Sequence, residues 1–380
     1  MLMIAQPPPL VEVFAEIPDF RRRQGTRHSL AAILSLACCA MLCGYRSYSA
    51  IAEWGRNYGT RIAQSLGFRH KTPCAATLHT VFRQVDRDTL EARLGAWAER
   101  VMASRSPGPS AGEVAVALDG KTLRGSKKHG VPGAHLLSAL SHHVGLTLAQ
   151  QAVDGKTNEI TQVEMVLRQL VLTDRVLTMD ALLTQRHVAQ AIVDGGGDDV
   201  MIVKDHQPKL REDIELVFTM PPMGDRQETT RTVDIGHGRI EQRNLTTSEA
   251  LAGYSDWPGL AQVFELGRHV IMQKTQEERA EVVYGVTSLG PERGTPARLL
   301  DLSRGHWHIE NKSHWVRDVT FDEDRSQVRC GNIPQVMAAL RNTAIGLLRC
   351  AGYPNIAAAC RRLAAQPDQA LALIGIILEN

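Results

Sequence analysis

The sequence predicts an α/β protein: a mixed-sheet core carrying a β-rich insertion and preceded by an all-α N-terminal domain. Three observations lead there. Apolar residues recur at helical spacing through the first hundred or so positions, as in Leu30, Ile33, Leu34, Ala37 and Met41. Short apolar runs, EVAVALD (113–119), RVLTMD (175–180) and DVMIVK (199–204), then alternate with helical stretches, as buried strands do. From about 220 to 295 the pattern alternates in TTRTVDI, RIEQRNL, VFELGRHVIM and EVVYGVTSL, which reads as exposed β-structure.

Taken in order, residues 1–12, with Pro7, Pro8 and Pro9, read as a loose lead-in. Further helices are expected over Tyr48–Tyr58, Thr77–Val85 and Asp88–Met102, with Thr77 and Asp88 as N-caps. The run LAAILSLACCAMLCG after Arg21, Arg22 and Arg23 has the look of an export signal. It is too short to span a bilayer, begins late and leads into another helical pattern, so a buried helix is the better reading. SRSPGPSAG (104–112) reads as a linker. Beyond it HLLSALSHHVG and LTLAQQAV form two strands meeting near Gly145. Helices are expected next over Glu159–Leu172, capped by Asn158, and Thr184–Val193, which Gly195, Gly196 and Gly197 end. Strand, strand, strand, helix, strand, helix, strand suits an RNase H-like mixed sheet better than a doubly wound one. Pro296–Arg317, Gln335–Cys350 and Ile356–Ala365 read as closing helices. The domains expected are 1–105 (helical, accessory), 113–220 (core, first part), 221–295 (β-rich insertion) and 296–380 (core, last part).

Composition narrows the function. With 43% hydrophobic and 22% charged residues the chain is globular rather than disordered. A net charge of +2 excludes a uniformly basic polymer binder, yet an acidic metal centre beside a basic track would cancel to such a sum. The seven cysteines include no CxxC pair, so zinc has little support, and unpaired thiols in apolar runs suit a reducing, cytoplasmic compartment.

Asp119 and Asp180 each end a buried strand, where open α/β sheets place their chemistry. Strand-ending Asp residues also simply start turns, and for either residue alone that reading competes. Adjacent strands would bring the two to one edge. In LSRGHWHIENKSHWVRD (302–318) a helix would align His306, Glu310, His314 and Asp318 as one polar stripe opposite Leu302, Ile309 and Val316. A solvated, salt-bridged face is the alternative. Two or three carboxylates suffice for Mg²⁺, which prefers hard oxygen donors and keeps several waters.

Lys121, Arg124, Lys127 and Lys128 after Asp119, and Lys204, His206, Lys209 and Arg211 from the end of DVMIVK onward, are candidate phosphate contacts or merely solvated loops. His237, Arg239, Glu241 and Arg243 alternate, so one strand face would carry all four, as a DNA contact or an ion-pair ladder. Trp257 reads as packed rather than as a base-stacking platform.

At these residues the chain resembles the DDE transposases of bacterial insertion sequences, in the branch of the H-repeat-associated, Rhs-linked proteins. The resemblance rests on PDFRRRQGTRHSLAAILSLACCAMLCGYRSYSAIAEWG, ALDGKTLRGS (117–126), GKTNEI (155–160), LTMDALLTQ (177–185), VKDHQPKL (203–210), GHGRIEQR (236–243) and HWHIENKSHWVRDVTFDED (306–324), in that order. It implies an RNase H-like fold and a catalytic, metal-binding triad of Asp119, Asp180 and Glu310, with Asp119 bridging two Mg²⁺ ions that Mn²⁺ can replace. Asn158 and Glu159 become active-site support, and His306, Asn311, His314 and Arg317 join the candidate DNA contacts. The expected activity is cleavage and strand transfer on double-stranded terminal repeats and target DNA. A dimer is expected on DNA, nucleoid-associated and without a membrane role. The gap of 130 residues between Asp180 and Glu310 suits a β insertion. Departures exist: Arg317 stands where the superfamily has Lys, and Ser313 where Leu is usual. Rival readings are a domesticated DNA-binding protein that no longer cuts, a nuclease without strand transfer, and a zinc hydrolase using His306, Glu310 and His314.

Overall fold

The computed structural model of the chain describes residues 9–22, 26–105, 113–127, 132–153, 159–236 and 238–378, with residues 159–161 described by backbone alone. It divides into two compact units, Met1–Ala111 with Gly120–Asn158 and His308–Asn380, and Gly112–Asp119 with Glu159–Trp307. Strand β1 (Val114–Thr122) belongs to both.

The first unit opens with helices α1 (Leu10–Ala15), α2 (Leu30–Leu42), α3 (Tyr48–Asn57), α4 (Gly59–Ser65), α5 (Ala75–Gln84) and α6 (Arg87–Arg105). The expected lead-in is shorter than its prolines suggested, because Leu10, Val13 and Phe14 are buried and start α1. Helix α2 is buried all round, which is why its sequence is apolar on every face. Among the described residues no helix is long and apolar enough to cross a membrane. Ser29 and Ser47 cap α2 and α3 by accepting from Ala32 and Ala50 N–H. Thr77 and Asp88 are not caps. Helix α5 starts two residues before Thr77, and Asp86 takes the role at α6 by accepting from the Asp88 and Thr89 N–H groups.

The same unit holds β2 (His135–Ser141) and β3 (Thr147–Val153), an antiparallel pair whose connection places Gly145 at φ 72°. Helix α6 lies against β3 so closely that a Cβ on Gly95 would sit 2.6 Å from the Leu148 carbonyl oxygen. The unit closes with α11 (Trp315–Val319), α12 (Ile333–Cys350), α13 (Ile356–Ala365) and α14 (Pro367–Leu373), α12 packing on α2, α6 and β3.

The second unit contains the remaining elements: α7 (Glu159–Leu167), β4 (Arg175–Met179), α8 (Arg186–Asp194), β5 (Asp198–Val203), α9 (Pro208–Thr219), β6 (Glu228–Gly236), β7 (Arg239–Ser248), β8 (Gln262–Met272), β9 (Glu278–Thr287) and α10 (Pro296–His306). The hydrogen-bonded strand order is β3-β2-β1-β4-β5-β9-β8-β7-β6. β1, β4 and β5 run parallel, and β9 returns antiparallel to β5. The β-rich insertion is therefore a meander that prolongs the core sheet. Val176, Val200, Leu245, Phe264, Leu289, Leu299 and Leu300 form its core under α10.

Expected helix Pro296–Arg317 is not continuous. Helix α10 ends at His306, and Glu310–His314 winds as a π-helical turn before α11. Widened turns of this kind occur frequently at functional sites. The apolar side survives, with Leu302, Ile309 and Val316 buried. On the polar side Glu310 and His314 pair with each other at the expected spacing, while His306 and Asp318 take other partners.

Candidate active site

Two acids are set by strand register. Leu118 on β1 pairs with Met179 on β4, the last pair of that parallel ladder, so Asp119 and Asp180 are the next residues on neighbouring parallel strands. Asp180 follows the end of β4, whereas β1 runs on past Asp119 to Thr122, so the expectation that Asp119 ends its strand does not hold. Val203 ends β5, the third parallel strand, one residue before the exposed Lys204. Asp119 is half-buried and Asp180 exposed. The turn reading of Asp180 also holds, since its Oδ1 accepts from Leu183 N–H at 3.3 Å.

Thr178, two residues before Asp180 and so on the same face of β4, has its hydroxyl 3.1 Å from His306 Nδ1. His306 thus reaches the strand that carries the second acid rather than a solvent-facing stripe.

Glu310 lies on the π turn. Its Oε2 is 3.1 Å from Nδ1 of the buried His314. That hydrogen bond, with the charges of His314 and Lys121, outweighs burial and holds the Glu310 carboxyl below its ordinary range. Lys121 follows Asp119 by two positions on β1, so both side chains share a face of that strand. Lys121 Nζ donates to Asp318 Oδ2 at 2.6 Å. Burial raises the Asp318 carboxyl despite that cation, and its Oδ1 has no hydrogen-bond partner.

Three residues expected to face DNA turn inward. Lys121 is buried on Asp318. His314 is buried on Glu310. Arg317 is fully buried, with Nη2 2.7 Å from Glu323 Oε2. Glu323 also accepts from Arg341 Nη1 at 2.8 Å, and these two guanidinium groups hold its carboxyl down against the effect of burial.

Arg124, Lys127, Lys204, His206, Lys209 and Asn311 are exposed. Arg211 pairs with Asp205 at 2.6 Å. On β7, Arg239 and Arg243 both meet the buried Glu241, and Arg268 of β8 joins them, so the alternation there builds an ion-pair ladder. Trp257 is buried, as expected. Lys128, His237 and Asn158 lie outside the described residues, as does the Glu159 side chain.

Sequence reasoning missed the Lys121–Asp318 pair and the Arg317–Glu323–Arg341 cluster. A signal for the second existed: Arg341, followed by Asn342 and Thr343, interrupts the apolar run of the helix MAALRNTAIGLL.

The carboxylates present, Asp119, Asp180 and an ionised Glu310, are hard oxygen donors of the kind divalent Mg²⁺ or Mn²⁺ takes. Residues 110–347 match the family described as Transposase DDE domain, and residues 11–98 match the one described as DDE_Tnp_1-associated. The chain is 30% identical over 350 residues to YncI of Escherichia coli O157:H7, a protein carrying a transposase name, covering 90% of this chain and 87% of that one. It is 28% identical over 348 residues to YhhI of Escherichia coli (strain K12), named as H repeat-associated, with coverage of 89% and 90%. A protein in the dhlA 3′ region of Xanthobacter autotrophicus is 36% identical over 263 residues, with coverage of 68% and 86%.

Proposed function

This chain belongs to the transposase DDE family, and from that premise we propose that it cleaves DNA at the ends of an insertion sequence and joins the freed 3′-hydroxyls to target DNA. Asp119, Asp180 and Glu310 would hold two Mg²⁺ ions, with Asp119 shared and Mn²⁺ an effective substitute. The single observation that carries the reading is the register of β1 and β4, whose parallel pairing stops at Leu118 and Met179 and so sets Asp119 and Asp180 next to each other in register within the matched domain.

When bound, the metal supplies activation of a water or 3′-hydroxyl and stabilisation of the departing oxygen. The chain's own groups do the rest. The His314 hydrogen bond lowers the Glu310 carboxyl and so favours its ionised, metal-binding form. Lys121 balances Asp318 and adds a positive field at Glu310. His306, held on Thr178, stands beside the strand that ends in Asp180. The exposed Arg124, Lys127, Lys204, His206 and Lys209 hold phosphates, and the exposed Asn311, next to Glu310 in the chain, is a further candidate contact. Helices of residues 1–105 serve as an accessory DNA-binding domain. Two element ends must be held together, so the DNA-bound form is a dimer at least.

The test is purified protein with Mg²⁺ or Mn²⁺ and a labelled duplex carrying the ends of its own genomic element, beside Glu310→Gln. Boundary cleavage that the variant loses, then joining of a pre-cut 3′-hydroxyl end, supports the reading. Sequence-specific binding without cleavage in either metal would instead mark a DNA-binding protein that no longer cuts.

A further inference from the structure

We propose that an arginine-lined cleft in the first unit, built on segment Asp322–Gly331, grips the phosphate backbone of duplex DNA. The inference rests on the DNA-joining reading above and extends it to residues outside the acidic centre.

The cleft has a volume of about 310 Å³ and is lined by Arg46, Ser47, Tyr48, Ser49, Arg325 and Gln327, among others. Its floor is Asp322, which adopts the left-handed conformation at φ 56°. Asp322 stands 2.6 Å from Arg325 Nε and 3.7 Å from Arg46 Nη1. One carboxylate therefore faces two guanidinium groups, and both remain open to solvent, with side-chain exposures of 84% for Arg325 and 50% for Arg46.

The cations continue along the same segment. Arg124, also largely exposed, lies 3.8 Å from Asp324. Arg329 donates to the Gly125 carbonyl from Nε at 3.2 Å and is exposed. Gly331 passes so close to exposed Arg83 that a Cβ there would fall 2.8 Å from the Arg83 Cγ. Arginines 46, 83, 124, 325 and 329 thus border one stretch of ten residues, whose half-buried acids are Asp322 and Asp324. The third acid, Glu323, is buried and already matched by two arginines. The strip carries a net positive charge beyond what its acids neutralise.

The strip is also held in shape. Arg341, anchored on Glu323, donates from Nη2 to the Arg46 carbonyl at 3.1 Å. A buried ion cluster thereby fixes the turn that carries Arg46 and the segment that carries Arg325. Exposed guanidinium groups on a fixed backbone suit bidentate phosphate contact at low cost in ordering. Hydroxyls of Ser47, Tyr48 and Ser49 add uncharged donors of the type found at phosphates. Phe321 and Val328 also line the cleft, Phe321 fully buried, and the groups at its exposed rim are the guanidinium groups of Arg46 and Arg325.

The experiment is fluorescence anisotropy of full-length protein on labelled duplex DNA, in EDTA so that no cleavage occurs, across a salt series. The triple variant Arg46→Ala, Arg325→Ala, Arg329→Ala is compared with wild type. Arg226→Ala with Arg279→Ala, exposed arginines of the other unit, is the charge control. Each lost phosphate contact lowers the slope of log K against log salt by about 0.9, so the triple variant should bind on the order of 10²-fold more weakly at about 0.1 M salt, with a slope smaller by roughly 2 to 3. Asp322→Asn, which keeps a residue that tolerates left-handed backbone, should bind more tightly than wild type. That gain guards against a loss caused by misfolding. Wild-type binding retained by the triple variant with an unchanged slope overturns the cleft alone. A triple variant that loses single-stranded RNA but keeps duplex DNA overturns it as well. No binding of any duplex by wild type would overturn the transposase reading together with the cleft.

Discussion

Lys121 Nζ sits 2.6 Å from Asp318 Oδ2, two residues along β1 from the first acid of the motif. The pair ties the strand that carries Asp119 to the helix just beyond Glu310. Lys121→Ala removes the positive field at Glu310 and leaves a poorly exposed carboxylate at Asp318 without its cation. Groups that support metal ligands from behind typically contribute ten- to a hundred-fold, so cleavage should fall by roughly that factor. Duplex binding in EDTA should hardly change, because Lys121 is buried and not a phosphate contact. The metal concentration for half-maximal cleavage should rise, and Lys121→Arg should recover part of the loss. An alanine variant with normal cleavage and unaltered metal dependence would show that the pair serves packing alone.

Glu323 carries the buried charge of the first unit. It accepts from Arg317 and Arg341, and all three side chains are at most 2% exposed. Glu323→Gln leaves two buried guanidinium groups facing a neutral amide, a loss on the order of 3–5 kcal/mol. The pH dependence has a definite sign. The folded carboxyl lies below its ordinary value, so its stabilisation is present above about pH 4.3, the unfolded value, and is lost as pH falls through the folded one. Melting curves of wild type should shift downward on acidification more steeply than those of the variant.

Arg243 tests which role the β7 alternation serves. Its side chain is 15% exposed and meets Glu241 and Asp234. Arg243→Ala should lower the melting temperature while leaving the salt slope of DNA binding within error of wild type. A slope reduced by about 0.9 would return Arg243 to the DNA surface.

Much of this arrangement was legible because it depends on periodicity. Asp180 could be placed at a strand end, and Asp119 on the neighbouring strand, because RVLTMD and EVAVALD are short apolar runs that suit a buried strand; that β1 continues to Thr122 was not legible, since GKT carries no apolar run. Helix α2 could be told from an export signal by its length and by the second helical pattern, through Ile51 and Trp54, that comes after it. Caps were harder, since Asp86 and Asp88 offer the same side chain and tertiary packing selects between them. The π turn was invisible for a related reason. It inserts extra backbone without changing composition, and the burial of His314 and Arg317 against Glu310 and Glu323 is tertiary, not written in the spacing. Long-range ion pairs such as Lys121 with Asp318 join residues nearly two hundred positions apart, and no local pattern encodes them.

Asp199 offers a test in the second unit. It is 1% exposed on β5, its Oδ2 has no hydrogen-bond partner, and burial next to Asp198 pushes its carboxyl up to about 8. Between roughly pH 4 and pH 8 the folded chain therefore holds a proton that the unfolded chain has released. Stability should fall as pH rises through that window. Asp199→Asn keeps the shape, and the hydrogen bonds of the Asp199 backbone to Ser288 and Thr287 do not involve the side chain. The variant should melt several degrees higher at about pH 8 and close to wild type near pH 4. Parallel melting curves at both pH values would mean that Asp199 stays ionised in the fold, with water reaching its second oxygen.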